Sequence, residues 1–273
     1  MGARHDIAFE KWHGLENDYV ILQHRAAAGL SVSELARSIC DRRTGVGADG
    51  LLLVEARDRD EVAFQIVNSD GSSAELCGNG LRCAAAAHVR AGGGDRLTLR
   101  SVIGAHHATV RPDEDSFDVA VDLVPVLLGE EMIIPWRGGT LAARMVSTGN
   151  PHAVIVVSGD DDDAIDDMFE AAMTALGGRV NVHIVKVSQP GRLRMWSHER
   201  GAGAVRACAT GAAAAVGVVA TGESTSWDVQ MPGGVLQVAP GTSDTPARTR
   251  GPATFVCDGV WSCPGDVYAR EGA

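Results

Sequence analysis

Two segments of this 273-residue chain constrain its fold more than any other feature. Cys77-Gly-Asn-Gly-Leu-Arg-Cys-Ala-Ala-Ala-Ala-His-Val and Cys208-Ala-Thr-Gly-Ala-Ala-Ala-Ala-Val-Gly-Val-Val-Ala each pass from a Cys-x-x-Gly opening into an alanine-rich run. The second carries no charge from Ala209 to Ala220. A helix without a polar face has to be covered on every side, and small side chains let surrounding strands come close. The two openings lie 131 residues apart, nearly half the chain. A duplicated unit, each copy wrapping a mixed sheet around a central helix, accounts for that spacing and places the chain in the α/β (α+β) class.

The remaining segments supply strands for such sheets. Phe117, Val119, Val121 and Leu123 alternate with polar neighbours, as do Val180, Val182 and Ile184 with Asn181 and His183 between them. Further strands are expected within 51–55, 62–68, 96–102, 152–157, 192–196 and 235–238. Ser31 and Glu34 have the spacing of a capping box opening a helix to about Asp41. Asp160 to Asp163 open another, running to about Leu176 and stopped by Gly177-Gly178. Four consecutive Asp invite a metal reading, but acidic residues complement the dipole of a helix N-terminus, and that reading is adopted.

Composition narrows function. Lys plus Arg is 24 against 35 Asp plus Glu, a net charge of -11, which argues against nucleic-acid or anionic-membrane partners. Met1 to Asp6 lack the apolar region of a secretory signal, and the longest apolar or glycine stretch, Gly211 to Ala220, falls short of the ~18 residues of a membrane span. A cytoplasmic protein with reduced thiols is expected. Its cysteines at 40, 77, 83, 208, 257 and 263 are too sparse for a disulfide framework and lack zinc-site spacing. His106 and His107 are adjacent and point to opposite faces of a strand, so no metal site is expected. Glu199-Arg-Gly-Ala-Gly contains GxG, but Arg206 stands where a dinucleotide fingerprint needs its third glycine, so a tight loop is expected there.

Cys77 and Cys208 carry the chemistry. A cysteine at a helix N-terminus feels the positive dipole end and unsatisfied N–H groups, which favour thiolate, and the same N–H groups bind carboxylate. Two such ends facing each other hold one carboxylate between two thiols, an arrangement suited to taking a proton from one face of a carbon and delivering one to the other. Cys40, Cys83, Cys257 and Cys263 lack these openings and are expected only to pack.

Seven motifs in order carry a family resemblance: Lys11-Trp-His-Gly-Leu-Glu-Asn-Asp-Tyr, Asp41-Arg-Arg-Thr-Gly-Val-Gly-Ala-Asp-Gly-Leu-Leu, Asn68-Ser-Asp-Gly through Cys83, Thr148-Gly-Asn-Pro-His, Glu199-Arg-Gly-Ala-Gly, Ala207-Cys-Ala-Thr-Gly and Met231-Pro-Gly-Gly. The series resembles that of the diaminopimelate epimerase family. The resemblance implies two similar halves with the active site in the cleft between them, here 1–124 completed by 264–273, and 125–263. It implies cofactor-independent interconversion of L,L- and meso-diaminopimelate, a step in lysine and peptidoglycan precursor synthesis. Cys77 and Cys208 then match the two catalytic bases. Gly78, Asn79, Ala209 and Thr210 match the backbone that holds the reacting carboxylate, Asn17 and Glu199 lie near the reacting amino group, and Asn68, Asn150, Asn181 and Arg200 recognise the distal amino acid group. His152 matches an orienting histidine. The partner implied is a small amino-acid substrate, and a homodimer is common in the family.

The lysine count supports a reaction without cofactor. Pyridoxal phosphate chemistry needs a Schiff-base lysine, and the only two, Lys11 and Lys186, stand beside no phosphate-cradling loop. Departures from the family pattern are Glu16 for a glycine, His198 for a Trp, Ala204-Val205 for Glu-Thr and Ala209 for a glycine. They keep open a related epimerase or racemase acting on another amino acid. A thiol redox module built on the same two cysteines is the reading from another class.

Overall fold

The computed structural model describes residues 5–159, 162–200, 202–220, 225–264 and Val267. Contacts divide the chain into two units, 1–119 with 252–273, and 120–251.

The first unit contains strands β1 (His5–Gly14) and β2 (Asn17–Gln23), helix α1 (Val32–Cys40), strands β3 (Gly50–Ala56), β4 (Glu61–Asn68) and β5 (Ser73–Ala74), helix α2 (Gly78–Arg90), strands β6 (Arg96–Ser101) and β7 (Gly104–Pro112), and the start of β8 (Phe117–Pro125). β1 runs antiparallel to β2, β2 parallel to β3, β3 antiparallel to β4, and β4 antiparallel to β5 and parallel to β6, which turns back into β7.

The second unit follows β8 with β9 (Leu127–Trp136), β10 (Gly139–Ser147), β11 (Pro151–Val157), α3 (Ile165–Leu176), β12 (Asn181–Gln189), β13 (Arg192–Glu199), β14 (Gly203–Val205), α4 (Ala209–Val219), β15 (Trp227–Met231), β16 (Gly234–Ala239) and the start of β17 (Pro246–Cys263). From β10 to β16 each strand pairing repeats that of β1 to β7 in order and direction. The duplication inferred from two cysteines is therefore a duplication of nine consecutive elements.

Each unit is built on its alanine-rich helix. α2 packs against β1, β2, β3, β4, β6 and β7, and α4 against β10, β11, β12 and β16. Residues Gly78 to Ala87 of α2 and Ala209 to Val216 of α4 are buried. The outer face of each sheet is covered in turn. Leu35, Ala36, Ile39 and Cys40 of α1 join Val20, Leu22, Leu51, Leu53 and Val67 in one core cluster, and Ile165, Met168, Phe169 and Ala172 of α3 join Ile155, Val182 and Ile184 in another. Strands covered on both faces cannot show alternation as burial. Asn181 and His183, the polar residues of the alternating pattern, are accordingly buried along with Val182 and Ile184.

Several local expectations change. Ser31 is the N-cap of α1 without a side-chain cap bond; its N–H donates to the Val267 carbonyl at 3.0 Å, and Glu34 pairs with Arg37 at 2.6 Å. Helix α3 begins at Ile165, with Asp166 and Asp167 in its first turn and left-handed Gly177 ending it. Asp162 precedes it and pairs with Lys186 at 3.3 Å and Arg194 at 2.7 Å, whereas Asp160 and Asp161 lie outside the described residues. The expected boundaries move as well: the units divide at 119/120 and 251/252 rather than 124/125 and 263/264. The returning strand is the second part of β17, because Thr254 to Cys263 hydrogen-bond along β1. Of 264–273, only Pro264 and Val267 lie within the described residues.

The β1–β2 connection is strained. Gly14 pairs with Asn17, leaving a two-residue turn at Leu15 (φ 57) and Glu16 (φ 65). Tight hairpins of this kind need positive φ at both positions, at a cost of about 1 kcal/mol for a residue bearing a Cβ. Glu16→Gly is expected to raise stability by about 1 kcal/mol, seen as a higher urea midpoint; an unchanged midpoint means the turn holds no such strain.

Candidate active site

Cys77 and Cys208 occupy the same structural position. Cys77 is the N-cap of α2 and its sulfur accepts from Gly80 N at 3.4 Å; Cys208 is the N-cap of α4 and accepts from Gly211 N at 3.3 Å. Each follows a short strand, β5 or β14, that ends three residues earlier. Gly78, Asn79, Ala209 and Thr210 form the first turns, where backbone N–H groups have no acceptor within the helix itself. Ala209 has no positive φ, so alanine takes this position without backbone cost.

Around Cys77 the polar groups form a chain of fixed direction. Arg82 Nη2 donates to Asn79 Oδ1 at 2.8 Å, Asn79 Nδ2 to Asn17 Oδ1 at 2.8 Å, and Asn17 Nδ2 to the Asp49 carboxylate at 2.7 Å. A guanidinium can only donate and a carboxylate only accept, so both amide orientations follow. Arg42 and Lys11 close the network on Asp18, and Arg42 also pairs with Asp49. Burial pushes the Asp18 carboxyl up, but Arg42 and Lys11 outweigh it and hold it below its ordinary value. Tyr19 Oη lies 2.7 Å from Cys77 Sγ. Asn68 ends β4 apart from this chain, hydrogen-bonded to Ser72 at 2.9 Å.

Arg82 is fully buried in the first turn of α2, and its hydrogen-bond partners among the described residues are neutral: Asn79 and the carbonyls of Gly78 and Pro252. Burial lowers its pKa, and negative charge on Cys83, Cys77 or Tyr19 offsets that cost. A buried guanidinium beside a helix N-terminus thus adds to the positive potential at Cys77.

Around Cys208 the surroundings differ. Its backbone N–H meets Met231 Sδ at 3.4 Å and its sulfur lies 3.5 Å from Thr210 Oγ1. Burial, followed by the charge and hydrogen bond of Glu199, raises its thiol well above the ordinary value, which favours the protonated sulfur. Asn181 Oδ1 accepts from Arg200 N at 2.9 Å. His152 Nε2 meets Asn150 Oδ1 and His152 Nδ1 meets His183 Nε2, both at 2.8 Å, and His183 Nδ1 meets Ser197 Oγ at 2.9 Å. Because an amide oxygen only accepts, the ordering is Ser197 to His183 to His152 to Asn150, with both imidazoles neutral. Thr148 Oγ1 lies 3.4 Å from both Asn150 Oδ1 and the Thr210 carbonyl, linking this chain to the first turn of α4.

The sequence reading missed Tyr19, Arg82, Asp49, His183 and Ser197. Arg82 had a signal, a charge inside an otherwise neutral buried helix; His183 had one in a polar residue on a strand facing a helix without polar groups. Cys40, Cys83 and Cys263 are buried as expected, but Cys257 is exposed on β17 within the exposed run Val256 to Asp258. Three departures from the family pattern, His198, Ala204 and Val205, line one cavity with Phe169, Trp196 and Pro232. Gly201 lies outside the described residues. Among the described residues no group of three or more potential ligands could hold a metal, and no helix is long and apolar enough to cross a membrane.

A Cβ on Gly211 would stand 2.2 Å from His183 Cε1, whereas one on Gly80 would meet Leu52 Cδ2 at 3.3 Å. Gly211→Ala should therefore cost about 1–3 kcal/mol in urea unfolding and Gly80→Ala less; equal costs would show that the imidazole can move aside. Burial holds His183 down to about 3 and lowers His152 as well. Unfolded chains take up these protons as pH falls through 6.5, but the fold does not, so stability is complete above 6.5 and declines between 6.5 and about 3. In urea titrations across that window, His183→Gln is expected to reduce the acid slope by up to about 1.4 kcal/mol per pH unit. An unaltered slope would mean His183 is protonated in the fold.

A family model described as diaminopimelate epimerase matches residues 9–127 and 144–256. Among curated relatives, the diaminopimelate epimerase of Xanthomonas euvesicatoria pv. vesicatoria is 37% identical over 94% of this chain and 96% of its own. That of Desulforudis audaxviator is 37% identical over 93% and 99%, and that of Methanothermobacter thermautotrophicus 34% over 93% and 98%. Among solved structures, a hydroxyproline epimerase from Agrobacterium vitis aligns at TM-score 0.75 and 15% identity over 98% of both chains. A predicted epimerase from Pseudomonas aeruginosa aligns at 0.69 and 15%, over 93% of this chain and 98% of that one. At such identity these two show the shared fold.

Proposed function

This chain belongs to the diaminopimelate epimerase family and is an isomerase, and we propose that it interconverts L,L- and meso-diaminopimelate without a cofactor, using Cys77 and Cys208 as paired base and acid. The observation that carries the mechanism is the pair of cysteine N-caps on buried helices, one in each repeat.

In this scheme the substrate carboxylate is held by first-turn N–H groups at Gly78, Asn79, Ala209 and Thr210. Ionised Cys77 takes the α-proton and becomes a thiol. The electron pair left on carbon spreads into the carboxylate, whose developing charge the oriented N–H groups stabilise. Cys208 gives its proton to the opposite face and becomes the thiolate, and the reverse reaction exchanges the roles. Glu199 and burial favour Cys208 as the starting acid. Asn17 and Glu199 serve the reacting amino group, Asn68, Asn150, Asn181 and Arg200 the distal one, and His152 holds Asn150 in position. The product supplies lysine and peptidoglycan precursor synthesis in the cytoplasm. The clustering of His198, Ala204 and Val205 on one cavity favours a second reading, the same chemistry on a different amino acid.

Incubation with a panel of amino acids in deuterated water, followed by NMR, separates the two. α-Proton loss from L,L-diaminopimelate is expected; exchange only in another amino acid would overturn the substrate, and exchange in none would overturn the reaction class. Cys77→Ala and Cys208→Ala should each abolish epimerisation while exposed Cys257→Ala retains it. Equal loss in all three would remove the special role of the pair.

A further inference from the structure

The two-thiol scheme gives no part to the hydroxyl of Tyr19, yet that hydroxyl is the side-chain group drawn closest to Cys77. Tyr19 lies on β2 with 3% of its surface exposed, its Oη 2.7 Å from Cys77 Sγ and 2.5 Å from Asn17 Oδ1. A phenol has one hydrogen to give and here faces two acceptors. Asn17 cannot turn its amide to help, because its Nδ2 is held by Asp49 while its Oδ1 also receives Asn79 Nδ2, itself fixed by Arg82. Asn17 Oδ1 is therefore an acceptor in every state of the cluster.

The hydrogen positions then depend only on the sulfur. When Cys77 is ionised, the phenol hydrogen points to Sγ. When Cys77 is protonated, the thiol donates to Oη and the phenol hydrogen turns to Asn17 Oδ1. Each donor has an acceptor in both states, and no heavy atom has to move. We propose that Tyr19 is a positioning residue for Cys77: its hydroxyl is a rotor that stabilises the ionised sulfur and turns to Asn17 once the sulfur has taken a proton. The proposal rests on Cys77 acting as a base, as put forward above. Cys208 has a different neighbour, the Glu199 carboxylate, which favours the protonated sulfur. The rotor thus makes the two repeats unequal.

Other charged or titratable groups around the sulfur are Arg82 and Cys83 on α2, exposed Glu75 two residues before it, Asp18 beside Tyr19, and Asp49 with Arg42 and Lys11 behind Asn17. Cys83 is buried, with its thiol pushed up to about 12, so it does not compete for alkylating reagent.

The test reads Cys77 directly, without substrate. Alkylation of Cys77 by iodoacetamide is followed by peptide mass spectrometry as a function of pH. Tyr19→Phe keeps the buried ring and removes the hydrogen, so its profile should move to higher pH, with a rate about tenfold lower at a fixed pH below the midpoint. The chain has only two tyrosines, Tyr19 and Tyr268. Biosynthetic 3-fluorotyrosine in a Tyr268→Phe background therefore labels one site with a more acidic, stronger donor. There the profile should move to lower pH, and the 19F resonance should titrate together with alkylation. Profiles that superpose on the unmodified protein, or that move in the same direction in both variants, overturn the proposal. Retained epimerisation in Cys77→Ala would instead overturn the base assignment while leaving the alkylation result to stand.

Discussion

A helix whose N-terminal turn is buried leaves backbone N–H groups that must find acceptors, and much of this molecule answers that constraint. Ser, Thr, Asp or Asn would be the usual caps, but here a sulfur takes the third N–H of each buried helix. The rest follows from surrounding such an end with protein. Alanine and glycine keep each helix thin enough for strands on several sides, and a second helix covers the outer face of each sheet.

How far the sequence reveals this depends on the kind of contact. The repeat could be read because each copy needs its own alanine-rich helix, and the cysteines could be placed because the opening that caps a helix is local. Most strands had a local pattern too. Burial on both faces was hidden: Asn181 and His183 look like an outward edge until α4 is seen packing on β12. The boundary at 251/252 was hidden because β17 runs unbroken through Gly251-Pro252, a pair that would ordinarily be read as ending a strand rather than as passing it from one unit to the other. Hydrogen-bond chains are the least legible. Arg82 with Asn79, Asn17 and Asp49 come from three points in the chain, and nothing local tells an asparagine which side of its amide faces a carboxylate.

The two copies have kept the scaffold while their polar surroundings have diverged. At Cys77 the sulfur meets a phenol and the end of a neutral amide chain anchored on a buried cation. At Cys208 it meets a carboxylate and a pair of neutral histidines lies nearby on β11 and β12. The divergence lies in side chains on strands of the same rank, which leaves the backbone repeat intact.

The continuity of β17 has a consequence for synthesis. Residues 120–251 form one unbroken stretch, so the second unit has all its strands as soon as that stretch leaves the ribosome. The first unit begins earlier but finishes later, since the partner of β1 is made only with residues 252–263. Until then the outer edge of β1 presents unpaired N–H and C=O groups, the kind of edge on which nascent chains associate. Order of synthesis and order of completion are thus reversed in this chain, and a ribosome stalled within β17 leaves the earlier-made half as the aggregation-prone one.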